Sequence, residues 1–132
     1  MQLERNFGKT IGLRIVEATP QHAVLELDFS PAVQQLTGIF HGGALLTMAD
    51  SAATWAAIRS LNPKGPVDGE PFPLTVQTSA NFLRNTNEGT VRAEAKVVHK
   101  GKTMLVVETV ITDAKGRQLL IARSTHLLSP VR

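Results

Sequence analysis

Between Phe29 and Ile58 the chain carries one formally charged side chain, Asp50. Around it, from 41 to 58, runs HGGALLTMADSAATWAAI, apolar or small at nearly every position. This pattern predicts a helix over 42–61 that is apolar almost all round and buried on most of its surface. A buried carboxylate must be paired, hydrogen-bonded or protonated, and no neighbouring cation on the helix can serve Asp50. At about 100° per residue, Thr47, Asp50, Ser51 and Thr54 share one side of the helix. Asp50 and Thr54 stand four apart, so their side chains are expected to meet. A plainer reading is that this stripe hydrogen-bonds neighbouring loops. At the helix start, His41-Gly42-Gly43 offers free N–H groups and the positive end of the helix dipole. Glycines there admit the close approach of a carbonyl oxygen, which makes an oxyanion-binding site. Tight packing is the plainer explanation for those two glycines.

The two ends of this stretch cannot share one reacting atom within a chain. Gly42 and Asp50 are eight residues apart, about 12 Å along a helix axis. If both serve one reaction, Gly42 of one chain must face Asp50 of another.

The remaining elements must house this helix. The 132 residues are read as one domain, 1–132, with a modest core. There is no cysteine, so disulfides and thiolate metal sites are excluded. The four His (His22, His41, His99, His126) have no metal-ligand spacing, and no metal is expected. Net charge is +3, with five Phe, one Trp and no Tyr. That is a mild basic excess without the basic–aromatic interleaving of single-strand binders, so nucleic acid is not an expected partner. The excess does help attract a phosphorylated ligand. The first ten residues lack an apolar run of signal-peptide length, and Asp50 interrupts the longest apolar region. A cytoplasmic, membrane-free location is expected.

Residues 2–10 read as a short helix or coil, and 12–17 with 23–29 as a strand pair. Residues 30–40 form the approach to the helix. Residues 62–73 hold four of the seven prolines and form the one long loop, ending the helix at Asn62-Pro63. Four strand-like stretches follow, at 74–83, 90–99, 103–112 and 118–128. Turns rich in Gly, Asn or charged residues separate them, and we expect an antiparallel meander in that order. The single helix is the only cover for such a sheet, so the fold class is α+β, a sheet wrapped around one long helix. Exposed edges and apolar sheet surface predict a homo-oligomer.

Three segments, GIFHGGALLTMADSAATWA, NFLRN at 81–85 and VVHKGKTMLVVE at 97–108, together resemble the hot-dog-fold acyl-CoA thioesterases of the PaaI / 4-hydroxybenzoyl-CoA thioesterase type. The resemblance covers residues 12–128. It implies a hot-dog fold and hydrolysis of an acyl-CoA thioester to a free acid and coenzyme A, which is part of the substrate and not a cofactor. By the same resemblance, Asp50 is the nucleophile or the general base on water. The N–H of Gly42 polarises the thioester carbonyl, and His41 and Gly43 shape that end. Gln35, six residues before His41, lies near the thioester or the water, and Thr54 orients the carboxylate or water. Gln35 and Thr54 match the 4-hydroxybenzoyl-CoA branch, whereas an Asp in the acid position matches the PaaI branch. Thr75 falls where some relatives place a water-binding Ser. Coenzyme A is expected at the subunit surface near 99–103, with Arg84, Lys100, Gly101 and Lys102 as its candidate contacts. The acyl end is expected along the apolar side of 62–73 and the start of the strand at 74. The resemblance also implies a tetramer built as a dimer of dimers. Two other readings are a non-catalytic acyl-CoA-binding domain and a hot-dog dehydratase. The dehydratase needs a proline–glycine context that is missing here.

Overall fold

The computed structural model describes residues 1–130. A short helix α1 (Phe7–Ile11) is capped at its start by Asn6, whose side chain accepts from the Lys9 N–H. It ends at Gly12, whose φ of 85° is the left-handed conformation that glycine adopts without a side-chain clash. Strands β1 (Arg14–Thr19) and β2 (His22–Asp28) form the expected hairpin. A 3-10 turn (Pro31–Val33) leads to helix α2 (Gly42–Leu61), the predicted span. Strands β3 (Pro71–Phe82), β4 (Thr90–Lys100), β5 (Met104–Thr112) and β6 (Gln118–Pro130) complete the fold.

All six strands form one antiparallel sheet in the order β1-β2-β4-β5-β6-β3. This corrects the expected four-strand meander. Only β4, β5 and β6 follow one another, while β3 lies on the far edge and pairs with β6. The reason is competition for the edges of β4. One edge takes β5. The other takes β2, with Ala23, Leu25 and Leu27 opposite Ala95, Ala93 and Val91. All six are fully buried. The register places a matched small-and-apolar row under α2, whose facing residues include Ala49, Ala52, Ala53, Ala56 and Ala57. Alanines on both sides let helix and sheet approach closely, and that contact outweighs the local turn signal at 85–89. The segment 83–89 is therefore not a hairpin turn. It runs past the start of α2, from Leu83 N–H on the Leu119 carbonyl to the Gly89 carbonyl on Phe29 N–H.

The sheet curls around α2, which packs chiefly on β2 and β4 and touches every strand. Phe40 closes the core at the helix N-terminus, edge-on to Phe29 with ring centroids 5.1 Å apart. Among the described residues no helix is long and apolar enough to cross a membrane. The β3 edge carries exposed Leu74 and Val76, about half accessible each at 49% and 54%.

Candidate active site

The α2 N-terminus is built by three short-range interactions. His41 is extended (φ −64°, ψ 129°) and its Nδ1 accepts the Gly43 N–H at 2.8 Å. A neutral imidazole accepting through Nδ1 carries its proton on Nε2, which faces away from the cap. Gly43 must be glycine for this to happen, because a Cβ there would lie 2.9 Å from His41 Nδ1. The next N–H groups, of Ala44 and Leu45, go to the His41 carbonyl. Among the described residues the Gly42 N–H donates to nothing. It is an unpaired donor at the positive end of a twenty-residue helix.

The approach loop is fastened from two sides. His41 N–H donates to Val33 carbonyl, and Phe40 N–H to both Thr86 carbonyl and Asn85 Oδ1. Asn85 Nδ2 returns a bond to the Phe40 carbonyl at 2.9 Å. Gln35 sits in a turn closed by its N–H on the Ile39 carbonyl, and its Oε1 accepts the Thr37 N–H. Its Nε2 is left as a donor. Gln35, His41 and Gly42 line one open depression of about 890 Å³ with Pro31 and Leu36.

Asp50 opens into a different cavity, of about 600 Å³. Its Oδ1 accepts the Thr75 hydroxyl at 2.7 Å. Thr54 and Ser51 line the same cavity, and the hydrogen bond to the carboxylate comes across from β3. Thr47 is elsewhere engaged, its hydroxyl on the Gly43 carbonyl at 2.9 Å. Its apolar wall includes Trp55, Phe72 and Leu74 with Leu13 and Ile15, and the polar side chains of Gln2, Asn6 and Lys9 also line it. Pro66, Phe72, Pro73 and Leu74 were anticipated on this wall. The contribution of residues 1–15 was not, because nothing local ties that segment to α2.

A further residue escaped the sequence reading. His126 lies opposite Thr75 in the β3–β6 ladder and is fully buried. Its Nδ1 is 3.3 Å from Thr75 Oγ and 3.4 Å from the Pro73 carbonyl oxygen, and its Nε2 is 2.8 Å from Ser124 Oγ. Burial pushes the imidazole below its ordinary value, and the Pro73 bond and the Asp50 charge only partly offset this. The available signal was alternation: Ser124 and His126 are two apart on a strand, so they share its inward face.

The basic candidates do not converge within one chain. Arg84 follows β3, its N–H on the Leu119 carbonyl beside the α2 N-terminus. Lys100 is at the other end, where its ammonium caps the Ser60 carbonyl in the last turn of α2 at 2.7 Å. Gly101 closes the β4–β5 turn through its N–H on Met104, and Lys102 is exposed beside it. Among the described residues no three His, Asp or Glu gather closely enough to hold a metal ion.

Comparison with known proteins agrees with this fold. A family model described as the thioesterase superfamily matches residues 37–120. The chain is 35% identical over 117 residues to a 1,4-dihydroxy-2-naphthoyl-CoA hydrolase of Listeria monocytogenes, covering 89% of this chain and 90% of that one. Among solved structures, a hypothetical thioesterase protein of Streptococcus pneumoniae with coenzyme A superposes with a TM-score of 0.79. It is 23% identical, with 92% of this chain and 91% of that one covered. A Streptococcus mutans protein bound to acetyl CoA superposes at 0.81 with 22% identity, over 100% of this chain and 98% of that one. At such identities the two structures speak for the fold alone. With a family match over most of its length and a curated relative aligned nearly end to end, the chain belongs to the thioesterase superfamily, as a thioester hydrolase of the hot-dog fold.

Proposed function

We propose that this chain hydrolyses acyl-CoA thioesters through a site shared by two protomers. One observation carries the reading: a single helix bears an unpaired N–H at Gly42 and, two turns on, a carboxylate held by only one of its oxygens, and the two open into different cavities. The Gly42 N–H at the helix N-terminus of one protomer donates to the thioester carbonyl oxygen, with Gln35 Nε2 and His41 Nε2–H as neighbouring donors. Asp50 of the second protomer presents its free oxygen to the carbonyl carbon or to a water beside it. As negative charge develops on the carbonyl oxygen, the Gly42 N–H and the helix dipole stabilise it. The C–S bond then breaks and coenzyme A leaves as its thiol or thiolate: where water attacks, Asp50 takes its proton and the acid is released directly, and where Asp50 attacks, a water hydrolyses the mixed anhydride to release the acid and restore the carboxylate. The acyl group occupies the cavity between Trp55, Phe72 and Leu74. Coenzyme A as the leaving group is supported by the name of the Listeria relative. The long unpaired edge of β3, with Leu74 and Val76 exposed, is the surface we assign to assembly, and a dimer of dimers would cover more of the sheet.

The test is a panel of benzoyl-CoA, phenylacetyl-CoA, hexanoyl-CoA and acetyl-CoA with detection of the released thiol. Wild type should turn over at least one of them. Asp50→Asn should lower kcat by about 10²- to 10⁴-fold, the range of a lost general base. Unchanged turnover in Asp50→Asn would remove that residue from the reaction, and binding without turnover across the panel would favour the non-catalytic reading.

A further inference from the structure

Four side chains run in a row from the inner face of β6 to the helix: Ser124, His126, Thr75 and Asp50. Their protons can be assigned from chemistry. The Pro73 carbonyl oxygen, 3.4 Å from His126 Nδ1, can only accept. Asp50 Oδ1 accepts from the Thr75 hydroxyl at 2.7 Å. Thr75 has one hydroxyl proton, so that proton goes to Asp50 and a lone pair faces His126. Nδ1 is thus flanked by two acceptors and carries the ring proton. Nε2 is then the acceptor, and the Ser124 hydroxyl donates to it at 2.8 Å. Every proton in the row points towards the carboxylate. A neutral ring fits its burial, since desolvation disfavours the imidazolium. Hydrogen bonds aligned this way in a dry interior reinforce one another.

We propose that His126 is a positioning residue for thioester hydrolysis: it polarises and fixes Thr75, which holds Oδ1 of Asp50 and leaves Oδ2 as the reacting oxygen. This rests on the reading of Asp50 as the reactive carboxylate. It also gives Thr75 a role other than holding water. The three residues come from α2, β3 and β6, so the carboxylate is located by two adjacent strands of the sheet as well as by its own helix.

The experiment has a spectroscopic arm and a kinetic arm. A ¹⁵N–¹H correlation spectrum of the imidazoles at neutral pH should show His126 as the Nδ1–H tautomer. The Nε2–H tautomer would overturn the proposal, because Nδ1 would then take the Thr75 proton away from Asp50. For kinetics, the thioester of the panel that wild type hydrolyses fastest is used. Thr75→Val and His126→Phe should each lower kcat about 10- to 100-fold with KM little changed, the cost of a small misplacement of a reacting group. The double variant should be no worse than the worse single one, since both break the same chain. Thr75→Ser and His126→Asn, whose amide nitrogen replaces Nδ1, should recover most of the loss. Wild-type kcat in Thr75→Val, a loss confined to KM, or multiplicative losses in the double variant would each overturn it. If His126→Phe does not fold, Thr75→Val and the tautomer decide. Asp50→Asn separates the two layers. If it is fully active, the reading of Asp50 fails. If it is inactive while Thr75→Val and His126→Phe keep wild-type kcat, only the positioning role fails.

Discussion

Gly43 and His41 show how one position can constrain its neighbour. The cap on the first turn of α2 needs the imidazole 2.8 Å from the Gly43 nitrogen, and any side chain at 43 would occupy that space. Gly42 differs. A Cβ there would meet the Phe82 ring at 3.4 Å, an ordinary contact, so what distinguishes it is its free N–H. His126 carries a prediction at this level. Its folded-state pKa lies below the ordinary value of about 6.5. Between the two values the unfolded chain binds a proton that the folded chain does not, so stability rises with pH across that interval. On this account His126 adds no slope well above its ordinary value of about 6.5, and thermal stability should fall as the pH is lowered through and below that value. Asp28, held below its ordinary range by Arg14, and Glu94, held down by His22, contribute stability that is lost only at lower pH, through their ordinary values and below. Melting curves of wild type and His126→Asn across that window check this: the variant should show a shallower slope, and equal slopes would contradict it.

The crossing segment between β3 and β4 is the element on which the helix entrance depends. Asn85 accepts from the N–H groups of Phe40 and Thr86 and donates to the Phe40 carbonyl. It ties the segment to the residue just before the cap. Asn85→Ala leaves the partly buried Phe40 carbonyl without this donor and should cost about 1–3 kcal/mol in urea denaturation. It should also depress turnover, because it loosens the turn that presents Gly42. A loss of stability with wild-type kcat would show that the segment only braces the fold. Lys100 is similar: the family resemblance suggests a coenzyme A contact, and the structure shows its ammonium on the last turn of α2, where cations complement the helix dipole.

For the proposed shared site the sharpest prediction is complementation. Gly42 is the first residue of α2, a position where proline is tolerated because its N–H has no intrahelical partner. The residue before it, His41, already has the extended backbone that proline imposes on its predecessor. Gly42→Pro should keep the helix, remove the donor and lower kcat by about 10²- to 10³-fold, as loss of one oxyanion donor does. Mixed and reassembled with Asp50→Asn, it should regain activity. A heterodimer holds one site with both residues intact and one with neither. If the two residues acted within one chain, the mixture would stay inactive.

The limits of α2, the β1–β2 hairpin and the β4–β5–β6 meander were legible because their signals are local. A glycine-led helix start, a proline stop and short polar turns act within a few residues. The eight-residue rise from Gly42 to Asp50 was likewise readable, since helix geometry sets it. The partner of β3 was not legible. The Asn- and Gly-rich stretch at 85–89 encodes a bend, but which strand lies beyond it depends on which inward row fits the alanine face of α2. The partner of Asp50 followed from that choice. With β3 against β6, Thr75 and His126 face each other beside the helix, 51 residues apart in the chain. No period or turn signal spans such a separation. Close packing of helix on sheet selects that pairing, and only the folded chain therefore shows how the carboxylate is held.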